Sequence, residues 1–188
     1  ATKTKADGDG ALSFEAAIER LEGLVPPGRV FIITNADILD ATREAAPELP
    51  PENIIGEPFG RDTAAAVALG AALVKAKDPD GVFAILTADH IMGQLPLFRQ
   101  TLAESFELAG MSDVFITIGI KPTEARTGFG YIEAGEVYKD GEIRFLKAKR
   151  FVEKPDRETA EEYLAAQTFY WNAVMFIWSA RNVIAGLV

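Results

Sequence analysis

The 188-residue chain has no cysteine and a single histidine, His90. Without thiols there can be no disulfide, no cysteine nucleophile and no thiolate-bound metal. With one imidazole, a multi-histidine zinc site is excluded, and any Ser-His-Asp apparatus would have to run through His90. A metal, if used, is then a hard cation held by carboxylates and phosphates. Positive charge is also scarce. Nineteen Lys and Arg against 28 Asp and Glu give a net charge of -9, which argues against nucleic acid gripped on a basic face. No apolar run approaches the roughly 20 residues needed to span a bilayer, and no charged-then-apolar leader opens the sequence, so no membrane partner is expected.

What remains is an ordinary globular composition, 48% hydrophobic and 25% charged. That length and composition suit one well-buried domain. Polar, glycine-containing residues 1–12 read as a flexible N-terminal segment, and 13–188 as the folded part. Ser13 is placed to cap a helix in which Phe14, Ala17, Ile18, Leu21 and Leu24 recur at helical spacing. Short apolar runs at 30–34, 53–56, 82–87 and 114–119 alternate with helical patterns at 36–46, 64–75 and 95–109. In the last of these, Leu95, Phe98, Leu102 and Phe106 mark the predicted inner face. From residue 130 the rhythm changes: strands at 130–133 and 143–152 flank a turn at 139–142, a helix follows at 157–166, and 173–178 is apolar. The fold class expected is α/β, a mixed, mostly parallel sheet flanked by helices.

Ligands of open α/β sheets collect at the carboxyl ends of strands, which directs attention to Asn35, to residues 57–63, to Asp89 and His90, to residues 121–130, and to Glu153 and Lys154. Arg61, Asp62 and Thr63 join a forked donor to a helix start, the elements of an anion or nucleotide cradle, although capping by Asp62 is the simpler account and its carboxylate would repel a phosphate in direct contact. Asp89, just past a buried strand, is either a carboxylate for Mg²⁺ or a turn cap. His90 reads as a structural hydrogen-bonding residue, and Trp171 and Trp178 as core. Gly128 and Gly130 permit close approach of a ring or base to the backbone, and turn geometry explains them as well. Glu153 can accept from sugar hydroxyls, Lys154 can neutralise a phosphate, and Asn172 can both donate and accept, while a charged pair before Pro155 taken alone reads as the solvated end of a strand.

These words form an ordered series. Glu57-Pro58-Phe59-Gly60-Arg61-Asp62-Thr63-Ala64, Thr87-Ala88-Asp89-His90, Gly119-Ile120-Lys121-Pro122-Thr123, Thr127-Gly128-Phe129-Gly130-Tyr131-Ile132-Glu133, Phe151-Val152-Glu153-Lys154-Pro155 and Trp171-Asn172 closely resemble the bacterial mannose-1-phosphate guanylyltransferases, within the sugar-phosphate nucleotidyltransferases. The resemblance implies an incomplete Rossmann-like nucleotidyltransferase fold and formation of GDP-mannose and pyrophosphate from GTP and mannose 1-phosphate with Mg²⁺. It makes Asp89 the metal-binding and catalytic aspartate and Lys154 the sugar-phosphate cation, also catalytic. Glu153, Gly130 and Asn172 become sugar contacts, and Arg61, Asp62 and Thr63 a loop beside the nucleotide. A cytoplasmic protein and a homodimer are the accompanying expectations. The family's glycine-rich signature, of the form G-G-x-G-T-R-L-x-P-L, does not occur in these 188 residues, so the chain is expected to carry mainly the sugar-binding half and to have little transferase activity alone. A non-catalytic sugar-nucleotide binder, or an enzyme for another hexose 1-phosphate, is the alternative. Val174 stands where the family typically has Gly, and its bulk is expected to crowd the sugar pocket.

Overall fold

The structure is a computed structural model that describes residues 14–58 and 62–187. Residues 1–12, read as flexible, and Ser13, read as a cap, lie outside the described residues. The chain divides into two compact units, residues 1–115 with 177–188, and residues 116–176.

Unit 1 opens with α1 (Phe14–Glu19), shorter than its apolar spacing predicts. The physical reason is visible at its end. The carbonyls of Glu19 and Arg20 accept from the Arg99 guanidinium at 2.8 and 3.1 Å, and Gly23 turns the chain at φ 79°. β1 (Ile32–Asn35) pairs in parallel with β2 (Ile54–Glu57), Thr34 opposite Gly56 and Asn35 opposite Glu57. At the end of β1 the Asn35 side chain accepts from the Asp37 N–H at 3.0 Å, capping a short 3₁₀ turn that leads into α2 (Leu39–Ala45). Ala46, Leu49 and Ile54 form a small core with Ile18, Val30, Ile32 and Leu39 around them.

α3 (Asp62–Lys77), rich in Ala, lies close against its neighbours: a Cβ at Gly70 would meet Phe83 at 3.8 Å and Ile33 at 3.9 Å. Val67 and Ala71 of this helix pack with Phe83 of β3 (Val82–Ile85) and with Ala180 and Val183 of α6 (Ala180–Leu187). α4 (Leu95–Met111) buries Phe98, Leu102, Ser105, Leu108 and Ala109. The predicted face is therefore rotated. Leu95 stays 37% exposed, and Ser105 takes a core position that the apolar pattern alone does not mark.

In unit 2, β4 (Ile116–Ile120) and β5 (Gly130–Lys139) both pair with β7 (Phe169–Ser179), whose last three residues belong to unit 1. β5 also pairs antiparallel with β6 (Phe145–Glu153). The β5–β7 pairing is antiparallel as well, so parallel pairing in unit 1 and antiparallel pairing here make the fold the mixed α/β type expected. α5 (Arg157–Ala166) starts at Asp156, whose carboxylate accepts from the Thr159 N–H at 2.8 Å. Its Ala160 and Tyr163 pack on Tyr131 and Phe169, with the Tyr163 and Phe169 rings stacked 3.8 Å apart. Trp171 lies against this core, as its apolar bulk predicts.

Candidate functional site

Four of the expected residues come together in unit 2. Gly130 opens β5 opposite Glu153, the last residue of β6. A Cβ at Gly130 would lie 2.9 Å from Glu153 Oε2 and 3.5 Å from Asn172 Cβ, so the missing side chain lets the Glu153 carboxylate and the Asn172 side chain close over the backbone as a polar niche. Lys154 Nζ sits 3.4 Å from Glu153 Oε1, and both side chains are mostly exposed. An exposed pair of this kind contributes little to stability, about 0–1 kcal/mol. Its groups are therefore available to a ligand at small cost to the fold.

The backbone around the niche is held from several sides. Lys154 adopts φ 45°, in the left-handed region and immediately before Pro155, a position where sterics already narrow the choices. Its N–H donates to Phe129 O at 3.2 Å, tying the Glu-Lys-Pro turn to the segment before Gly130. That segment is closed at its other end by Tyr131. The buried hydroxyl of Tyr131 donates to Arg126 O at 2.9 Å and accepts from Arg126 N–H at 3.0 Å. Phe129 stands edge-on to Trp171, ring centroids 5.2 Å apart.

Asn172 has a fixed orientation. The Val174 N–H can only donate, and it lies 3.0 Å from Asn172 Oδ1, so oxygen must face it. Thr117 Oγ1 is 3.4 Å from the same oxygen and 3.2 Å from Met175 O. The amide nitrogen is left toward Gly130, where a Cβ would be 3.9 Å from it. The niche thus offers a donor from Asn172, an acceptor from Glu153 and a cation from Lys154. Val174 itself sits at φ 53° and is 38% exposed; a β-branched residue there is a genuine outlier. Its backbone is in the conformation glycine prefers, while the half-open side chain has room on the solvent side.

The remaining expected residues belong to unit 1. Asp89 is exposed in the segment after β3, and the carbonyls of Thr87 and His90 on either side of it accept from the buried Arg20 guanidinium. Burial pulls the Arg20 proton affinity below the ordinary arginine value, and the Asp89 carboxylate opposes that pull. Among the described residues no three His, Asp or Glu cluster as a protein-only metal cage. A lone exposed carboxylate such as Asp89 fits Mg²⁺, which commonly takes one or two carboxylates and draws its other ligands from phosphate and water. α3 begins at Asp62, while Arg61 and the side chains of Asp62 and Thr63 lie outside the described residues.

Sequence reasoning missed Thr117, Tyr131 and Arg20. Each acts through a backbone carbonyl or amide distant in sequence or hidden from any local pattern.

Glu153, Lys154, Gly130 and Asn172 thus lie together as a polar cluster at the end of the β5–β6 hairpin in a chain of mixed α/β type. Residues 28–186 match the nucleotidyl transferase family model, and the chain belongs to that family. Among its relatives, the mannose-1-phosphate guanylyltransferase of Klebsiella pneumoniae is 40% identical over 135 residues, covering 72% of this chain and 28% of that protein. The mannose-1-phosphate guanylyltransferase of Salmonella muenchen is 39% identical over 186 residues, covering 95% of this chain and 38% of its own length. The crystal structure of the mannose-1-phosphate geranyltransferase from Thermus thermophilus superposes with a TM-score of 0.78 at 32% identity, over 91% of this chain and 48% of that one. The chain thus spans about a third of the length of these curated relatives. No helix among the described residues is long and apolar enough to cross a membrane.

Proposed function

We propose that this chain supplies the sugar-phosphate-binding part of a mannose-1-phosphate guanylyltransferase. The observation that carries the reading is the niche at Gly130, with Glu153 Oε2 2.9 Å from where a Cβ would stand and Asn172 beside it. In this reading Glu153 accepts from ring hydroxyls, Asn172 Nδ2 donates to one, Gly130 lets the ring approach the backbone, and Lys154 faces the phosphate as a point charge. The names and identities of the relatives support the choice of mannose 1-phosphate and GTP.

The reaction is an in-line displacement. A phosphate oxygen of mannose 1-phosphate bonds to the α-phosphorus of GTP, the bond from that phosphorus to the β-phosphate bridging oxygen breaks, and pyrophosphate leaves with the electron pair. The attacking oxygen is already ionised near neutral pH, so no general base is required and His90 keeps a structural place. Catalysis then rests on positioning and charge neutralisation. Asp89 would hold Mg²⁺, which supplies charge neutralisation on phosphate oxygens. Arg61, Asp62 and Thr63 are assigned to the nucleotide side. The proposal carries with it a cytoplasmic location and a homodimer.

The test is pyrophosphate release by a polypeptide containing this segment, measured across GTP, UTP, dTTP and ATP and across hexose 1-phosphates. GTP with mannose 1-phosphate should give the highest kcat/KM. A preference for another sugar or base would replace the substrate assignment, and binding of GDP-mannose without pyrophosphate release from any pair would favour a non-catalytic binder.

A further inference from the structure

The strand-end segment that carries Asp89 is shaped by a residue about seventy positions away, and that residue defines a role nothing else in the site fills. We infer that Arg20 is the positioning residue of the Asp89 turn, its guanidinium clamping the two carbonyls that bracket Ala88 and Asp89. The functional half of this inference rests on reading Asp89 as the magnesium-binding carboxylate. The positioning half does not.

Arg20 is 4% exposed. Its Nη2 donates to Thr87 O at 2.5 Å and its Nη1 to His90 O at 3.4 Å. The guanidinium carbon lies 5.7 Å from the centre of the Phe98 ring. The main chain beneath is pinned in turn, because Arg99 donates through Nε to Arg20 O at 3.1 Å and through Nη2 to Glu19 O at 2.8 Å. Neighbouring residues of α4 therefore fix Arg20 by its face and by its backbone, and Arg20 fixes the turn. No carboxylate lies within ion-pair distance of it among the described residues. Its Nε has no partner among them either. Burying a cation to hold two carbonyls is costly, and an apolar side chain would fill the space without that cost. What the guanidinium adds is a rigid two-pronged donor spanning the ends of a short turn.

The same cation acts on Asp89 at longer range. Its positive charge tempers the pull of the carboxylate on a second cation, so deleting the charge would strengthen metal binding while loosening the turn would weaken it. Lysine separates the two effects. It keeps the charge but is a single point, unable to hold both carbonyls in one plane.

The experiment compares the full 188-residue chain with Arg20→Lys and Arg20→Met by NMR. His90, as the sole histidine, gives one assignable ring signal inside the turn. Backbone order parameters of residues 88–90 should fall from about 0.85 to below about 0.6 in both variants, with β3, α4 and unit 2 unchanged. With MnCl₂ as the probe, broadening of the His90 ring signal should be weaker in Arg20→Lys than in the unaltered chain. Unchanged order at 88–90 in both variants overturns the inference, as does a loss of order spread evenly through unit 1. If Arg20→Met fails to fold, Arg20→Lys carries the same criterion. Localised loosening without any manganese broadening in the unaltered chain would leave Arg20 as the clamp and remove Asp89 as the metal ligand, so the two readings fail separately.

Discussion

Val174 gives the sharpest quantitative handle on the niche. Its φ of 53° places a β-branched residue in the left-handed region, and its N–H fixes the Asn172 amide. A direct Val→Gly comparison mixes lost methyl contacts with relieved strain, so the informative comparison is Val174→Ala against Val174→Gly. Both remove the methyls and both retain the N–H. An L-residue in the left-handed region costs about 1–2 kcal/mol, of which glycine is free. Glycine loses about 0.5–1 kcal/mol more backbone entropy than alanine on folding. The difference, between about 0 and 1.5 kcal/mol, centres on glycine being the more stable variant by about 0.75 kcal/mol, the reverse of the usual order in a strand. Urea unfolding monitored by tryptophan fluorescence measures it, provided the m-value is the same for both variants, since then the midpoint shift reports stability alone. Alanine equal to or more stable than glycine would refute the left-handed backbone assignment at 174.

Thr117→Val keeps the shape and removes the hydroxyl that lies 3.2 Å from Met175 O and 3.4 Å from Asn172 Oδ1. It should cost about 1 kcal/mol by urea unfolding and weaken mannose 1-phosphate binding, whereas an unchanged affinity would exclude Thr117 from the support of Asn172. The Asp156 carboxyl is held below the usual aspartate range by the Thr159 N–H it accepts from, so its contribution is present above the unfolded value of about 3.9 and is lost as pH falls through the lower folded value. Thermal melts should therefore show Asp156→Asn, which can still cap α5, losing less stability than the unaltered chain as pH drops below about 4. Parallel acid curves would contradict that.

Much of this was legible because it is local. Short β-branched runs marked β1 to β4, Asp156 and the periodicity after it marked α5, and the turn at 139–142 marked the hairpin. Ordered motifs singled out Gly130, Glu153, Lys154 and Asn172 as a set, and the β5–β6 register puts the first two opposite each other. What was not legible depends on chain-distant partners or on local backbone conformation. The end of α1 is set by Arg99, nearly eighty residues away, and the inner face of α4 includes Ser105, which no apolar pattern predicts. The orientation of Asn172 is set by the Val174 N–H, and the left-handed backbone at Val174 is a conformation that the valine side chain itself argues against. Bulk at 174 reads from sequence as an obstruction in the pocket; in the structure the residue's backbone strain is as prominent as its volume.

The central claim is that Glu153, Lys154 and Asn172 around Gly130 form a sugar-phosphate site, and calorimetric titration of mannose 1-phosphate into the unaltered chain and Lys154→Ala tests it most directly. Loss of one charge-assisted contact predicts affinity weaker by about tenfold or more in the variant, with Glu153→Gln weakened as well and inorganic phosphate a poorer ligand than the sugar phosphate. Equal affinity of Lys154→Ala and the unaltered chain for mannose 1-phosphate would contradict the account.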